Sequence, residues 1–356
     1  MKSFIVQSKF NQYKVSFLKK NTFHNHLIKT ICKNDIIILD KNVYRIYKSK
    51  FHKFKNKKIL LINSIEANKS FKNLNNIIRD LMSLKINRES RLIAIGGGII
   101  QDITCFIAST IFRGINWIFY PTTLLAQADS CIGSKSSINF DQFKNLIGTF
   151  YPPKEINIDI HFLSSLNNDE LHSGIGEIIK VYIIDNSKKL LNLSTLINKK
   201  NFSLDSLEIH IKESLKIKKK IIEIDELDTD FRKKLNYGHS FGHAIESATN
   251  YKIPHGIAVT IGMDIANFIS NKIGNLDKKK YDAYKSILSI NSNKYYYFEI
   301  ELKKMISALS KDKKNIDTKN LNLILWSKKN NLELISLENN FKFKKNLESY
   351  FASKKL

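Results

Sequence analysis

Cysteine is scarce: three residues in 356, Cys32, Cys105 and Cys131, an odd number with no CxxC or metal-ribbon spacing. That excludes a disulfide framework and leads us to expect a reducing, cytoplasmic setting. Four prolines and thirteen glycines exclude collagen-like or linker-rich organisation. No apolar run approaches the ~18 residues that cross a bilayer, so no membrane partner is expected. The opening MKSFIVQSKFNQYKV breaks its apolar residues every two or three positions, unlike the core of a signal peptide. Zinc-finger spacing, RNP-like aromatic motifs and basic heptads are also lacking.

What is present is a large apolar fraction, 43% with 11% aromatic, enough for a real core. The length suits about two domains. The net charge is +25, but the lysines are spread through the chain among many Asn and Ile residues, as in an AT-rich coding sequence. We therefore expect no specific nucleic-acid partner and favour a small anionic substrate drawn by the same field.

The first half alternates strand-like runs, DIIILD (35–40), KILLIN (58–63) and RLIAI (91–95), with a helical pattern over 69–85 in which Leu74, Ile77, Ile78 and Leu81 share a face. This rhythm predicts a parallel α/β domain over 1–166. Segments 170–183, 204–224, 239–249 and 256–273 are helical in period, with few strand-like runs before LNLILW (321–326). An all-α domain over 167–356 is expected, with the site in a cleft shared by the two.

Gly96-Gly97-Gly98 follows a strand, opens a helix and leads to Asp102. It reads either as a tight turn or as a backbone approach to a pyrophosphate at a helix N-terminus, although the GxGxxG spacing is absent. The stretch 113–153 carries Thr122, Thr123, Asp129, Lys135, Lys144 and Asn145 in apolar surroundings. It reads as a surface loop or as a phosphate-binding segment, lysine being a point charge for phosphate. Glu177 and Lys180 lie three apart on one helix face, followed by Arg232, Asn236, His239 and His243, with His255 soon after. His239 and His243 stack at i and i+4. One carboxylate and two imidazoles hold a catalytic metal with a position left open, but spacing alone does not choose which histidines bind.

Taken together, GGGIIQD, PTTLLAQADS, GSK, KNLIGTFYPP, SGIGEIIK, DFRKKLNYGHSFGHAIE, PHGIAVTIGM and KDKKN resemble the 3-dehydroquinate synthases of the sugar-phosphate cyclase superfamily, in that family's order from about Asp40 to Asn315. The resemblance implies a Rossmann-like NAD-binding domain and a reaction on 3-deoxy-D-arabino-heptulosonate 7-phosphate. In that reaction NAD oxidises a ring hydroxyl, phosphate is eliminated, the ketone is re-reduced, and an aldol step closes the carbocycle to 3-dehydroquinate. It further implies Zn2+ or Co2+ on Glu177, His239 and His255, with His243 beside the metal in proton handling or substrate contact. Asp129, Lys135, Asn145, Lys180, Lys218, Arg232, Asn236 and Lys313 match the substrate pocket. Asp40, Asn42, Glu66, Lys69, Gly97, Gly98, Asp102, Thr122, Thr123, Lys135, Lys144, Phe162 and Ser165 match the NAD site. Arg113 matches an arginine that reaches a neighbouring subunit, which implies a homodimer.

The chain departs from this pattern at six positions. Ile257 stands for the glutamate of HGE, a change expected to weaken support of His255, with Ile257→Glu expected to tighten zinc. Ser134 replaces a glycine, costing about 1–2 kcal/mol if its φ is positive. Gln101 replaces glycine, Gly176 alanine, Asp230 glycine, and Asp228 glutamate. The alternatives are a 2-deoxy-scyllo-inosose or valiolone-type synthase, a glycerol-type dehydrogenase, or a decayed, non-catalytic relative.

Overall fold

The computed structural model describes all residues except 1, 55, 142, 200–201, 296–297, 312–318 and 354–356. Its strands are β1 (Ser3–Val6), β2 (Tyr13–Phe17), β3 (Ile36–Asp40), β4 (Lys58–Ile62), β5 (Leu92–Gly96), β6 (Trp117–Pro121), β7 (Ile138–Phe140), β8 (Phe143–Ile147), β9 (Glu155–Ile158), β10 (Asn320–Trp326) and β11 (Leu332–Glu338). The α-helices are α1 (Phe23–Thr30), α2 (Lys41–Ile46), α3 (Lys48–Phe51), α4 (Phe71–Ser83), α5 (Gly98–Thr110), α6 (Asn168–Ile184), α7 (Lys189–Asn198), α8 (Leu204–Ile224), α9 (His239–Ala248), α10 (His255–Lys272), α11 (Lys278–Ser292), α12 (Leu302–Ser310) and α13 (Phe341–Ala352). Among the described residues no helix is long and apolar enough to cross a membrane.

Seven strands form one sheet in the order β1-β2-β9-β6-β5-β3-β4. β1 pairs antiparallel with β2, and every other pairing in this sheet is parallel. β3, β5 and β6 are buried at every position, as expected of parallel strands covered on both faces. The helix expected over 69–85 is α4: Ser70 accepts from the Asn73 amide and caps it, and Leu74, Ile77 and Leu81 are buried. Phe23, Leu39, Tyr47, Ile95, Tyr120 and Phe162 belong to one apolar cluster beside the sheet.

Strand order places a ligand site. From β3 the chain moves to one side for β4 and to the other for β5. Connections leaving the carboxyl ends of β3 and β5 therefore diverge, and such a switch point leaves a crevice. Asp40 ends β3 and Gly96 ends β5.

The chain forms two compact units, Met1–Asn167 with Leu204–Leu227, and Asn168–Ser203 with Asp228–Leu356. This departs from a single boundary at 166/167. Helix α8 packs on the 126–130 segment, an association that composition and period do not encode. The second unit is mostly helical and not all-α: β10 and β11 pair antiparallel from Asn320↔Glu338 to Trp326↔Leu332. Asn330, at φ 59°, sits in the turn between them. Helix α10 is buried at every position from Gly256 to Ser270, because α6, α9, α11 and α13 pack around it.

Candidate active site

The second unit assembles a compact polar cluster on three helices. Glu177 comes from α6, His239 from the start of α9 and His255 from the start of α10. Their potential ligand atoms lie within 4.8 Å of one another. Glu177 Oε1 is 3.4 Å from His255 Nε2 and 3.8 Å from His239 Nε2. The helices can approach because glycine faces glycine: a Cβ on Gly176 would sit 2.2 Å from the Gly256 carbonyl oxygen, and one on Gly256 would sit 1.8 Å from that of Ser173. His243 lies one turn beyond His239, its ring centroid 5.5 Å from that of His239 and 5.7 Å from that of His255.

Lys180 Nζ is 2.5 Å from Glu177 Oε2, and both side chains are buried. Burial pushes the Glu177 carboxyl up, but Lys180 and His255 outweigh it and hold the group down at about 2. Burial pulls His255 down, yet Glu246 and then Glu177 raise it to about 9. Neither Glu177 oxygen accepts a hydrogen bond of good geometry, although both are buried. A buried anionic oxygen facing two imidazoles is a donor set suited to a divalent cation, and the residues fit a three-ligand metal centre.

Sequence reasoning missed Glu246. Its Oε2 lies 3.1 Å from His255 Nδ1. The signal was in the chain, since 239, 243 and 246 fall on one helical face. Position 257 is instead buried, at 1% exposure, and sits two residues past His255, about 200° around the helix axis. A carboxylate there faces away from the imidazole, so the expectation that Ile257 deprives His255 of support is corrected.

The first unit gathers the residues assigned to dinucleotide. Asp40 Oδ1 accepts from the Asn42 amide at 2.7 Å, and its other oxygen accepts from Ser64. Gly97 precedes α5, whose first amides have no partner within their own helix. A Cβ on Gly97 would meet Thr123 at 2.9 Å, whereas one on Gly98 would meet nothing closer than Ser130 Oγ at 4.0 Å. Open space over unpaired amides at a switch point fits a pyrophosphate. Lys69 Nζ bridges Asp102 Oδ2 and Asn145 Oδ1, each at 2.7 Å. Asn139 joins Glu66 to the Asn145 amide, at 2.8 Å to each. Thr122 is buried, and its amide donates to Gly96 O at 2.9 Å. The Phe162 side chain belongs to the core, 4.6 Å from the Phe23 ring, so it offers no ring face to a ligand; Ser165 donates to Phe162 O at 2.8 Å.

Lys218, on α8, donates to Asp129 O at 2.5 Å and lies 3.1 Å from Asp129 Oδ1. Lys135 is exposed, with its ammonium 5.7 Å from the Phe150 ring centroid, and Lys144 is half-buried. In the second unit Arg232 is buried and Asn236 half-buried. Arg113 is exposed, at φ 66°. Lys313 lies outside the described residues.

Two departures have local partners. Ser134 adopts φ 64°, the strained region, but donates to the buried Glu226 at 2.5 Å. Gln101 makes a reciprocal pair with Ser130, donating to its carbonyl and accepting from its hydroxyl at 2.6 Å each. Asp228 also has positive φ, 61°. Nothing in the structure explains Asp230.

The family description "3-dehydroquinate synthase N-terminal" matches residues 59–173, and "3-dehydroquinate synthase C-terminal" matches 174–315. The 3-dehydroquinate synthase of Helicobacter pylori strain G27 is 39% identical over 269 residues, covering 75% of this chain and 77% of the relative. That of Dictyoglomus thermophilum is 39% identical over 308 residues, 84% of each. Among solved structures, a 2-deoxy-scyllo-inosose synthase complexed with carbaglucose-6-phosphate, NAD+ and Co2+ superimposes with a TM-score of 0.83 at 24% identity, over 99% of both chains. The last likeness is one of fold.

Proposed function

The chain belongs to the 3-dehydroquinate synthase family, and we propose on that premise that it converts 3-deoxy-D-arabino-heptulosonate 7-phosphate into 3-dehydroquinate and phosphate. The observation that carries this reading is the cluster of buried Glu177 with half-buried His239 and His255, Lys180 lying against the carboxylate. A divalent metal bound there supplies Lewis acidity toward the substrate's hydroxyls. Asp40, Gly97, Gly98 and the Lys69–Asp102 pair would hold NAD, which would supply a hydride acceptor.

The remaining roles fall to the chain's own side chains. Arg232, Lys218, Lys135 and Lys313 neutralise a substrate that carries both a carboxylate and a phosphate, the arginine as a two-pronged donor. Asp129 holds Lys218 in place. Asn145 and Asn236 hydrogen-bond hydroxyls, and His243, beside both histidines of the cluster, moves protons. Arg113 completes the phosphate site of a second copy in a homodimer.

The test is phosphate release from the heptulosonate phosphate with NAD and zinc, beside a chelated control. Formation of 3-dehydroquinate without net NADH supports the reading. Failure with metal bound points to another sugar phosphate, as in the related cyclases. Failure without metal binding means the site has decayed.

A further inference from the structure

The cluster shares one side chain with a second group of potential ligands. His243, Glu246 and His255 also bring donor atoms within 4.8 Å of one another. The two nitrogens of His255 divide these sets: Nε2 lies 3.4 Å from Glu177 Oε1, and Nδ1 lies 3.1 Å from Glu246 Oε2. An ionised carboxylate has no hydrogen to donate, so the contact with Glu246 is a hydrogen bond only when Nδ1 carries one. A neutral ring protonated at Nδ1 has its lone pair on Nε2, the nitrogen facing Glu177 and His239. Glu246 is buried at 3% exposure, so the carboxylate is held inside the unit and not shared with bulk water.

We propose that Glu246 is a positioning residue that selects the metal-binding tautomer and ring orientation of His255, so that the centre forms at Glu177, His239 and His255 and not at the overlapping group. The inference rests on reading that cluster as the metal site. Helix α9 thereby serves twice, placing one ligand, His239, in its first turn and the support for another, His255, two turns later. A carboxylate oriented behind a ligating imidazole fixes the ring and raises its basicity.

The test uses the full-length protein, stripped of metal, as wild type, Glu246→Gln and Glu246→Leu. Zinc affinity is read by competition with a chromophoric chelator, and the His255 tautomer by 15N shifts of labelled histidine in metal-free protein at alkaline pH. Glu246→Leu is expected to lower zinc affinity by ~10–100-fold. Glu246→Gln, whose amide oxygen still accepts from Nδ1–H, is expected to recover most of that loss and keep the Nδ1–H tautomer. In a His255→Ala background, Glu246→Leu is expected to change zinc affinity no further. Unchanged affinity in folded Glu246→Leu overturns the proposal, as does the same loss with His255 absent. If Glu246→Leu does not fold, an Nε2–H tautomer in the wild type overturns it. Failure of the metal reading itself is separate: it appears as unchanged zinc affinity in Glu177→Ala and His239→Ala.

Discussion

Replacing Gly176 by alanine separates two arguments of opposite sign. Helix propensity alone favours Gly176→Ala by about 1 kcal/mol, because alanine restricts the unfolded chain. The resemblance points the same way, since alanine stands there in the family. The structure says otherwise. The new Cβ would lie 2.2 Å from Gly256 O, 2.8 Å from Gly256 C and 2.6 Å from Thr260 Oγ1. An ordinary C···O contact is about 3.3 Å, so α6 and α10 must part by about 1 Å. Two of these three atoms are backbone of a helix buried on all sides, which no rotamer change relieves. Overpacking of this kind costs about 1–3 kcal/mol. Set against the propensity gain, this leaves a net loss of about 0–2 kcal/mol in urea unfolding of the metal-free protein, in place of the gain of about 1 kcal/mol that propensity alone gives. Glu177 is the next residue, and metal–ligand distances tolerate only about 0.2 Å, so zinc affinity should fall at least about tenfold. A Gly176→Ala protein more stable than wild type, with unchanged zinc affinity, refutes the close-approach argument.

Ser134→Gly relieves about 1–2 kcal/mol of backbone strain but removes a charge-assisted hydrogen bond worth about 1.5–3 kcal/mol from the buried Glu226. Its urea midpoint should therefore not rise, and a clear increase would show that the serine is a liability after all. Ile257→Glu buries a carboxylate on the far side of α10 from His255 and should lose about 2–3 kcal/mol without tightening zinc; improved chelator competition would restore the idea that position 257 supports the ligand. In metal-free protein His255 sits near 9, above its ordinary 6.5, so its contribution is full below 6.5 and lost as pH rises through 9. Glu177, near 2 against an ordinary 4.5, contributes above 4.5 and loses its contribution as pH falls through 2. Urea midpoints in chelator should thus decline from pH 6.5 to 9 relative to a His255→Gln control, and a flat difference would contradict the assignment.

Much of the architecture is legible in local pattern. Runs such as IIIL and LIAI specify strands buried on both faces, and Leu74, Ile77 and Leu81 specify the buried stripe of α4. The glycine turn and the i, i+4 histidines are visible because each lies within one turn of chain. Helix α8 has a clear period, yet its sequence does not say which unit it joins. The hairpin β10–β11 was half visible: LNLILW reads as a strand, whereas its partner buries few side chains and lacks a strong apolar alternation.

The sequence by itself determined the central strands, the main helices and the residues that carry the family resemblance, because these depend on side-chain type and short-range spacing. Only the tertiary structure decided which groups meet. Ser134 with Glu226, Gln101 with Ser130, and Glu246 with His255 are pairings set by packing and side-chain direction. Read from family pattern alone, Gly176 and Ile257 are defects. In the folded chain the first lets α6 reach α10 and the second fills the core, because distance and helical phase, which no linear motif records, govern both.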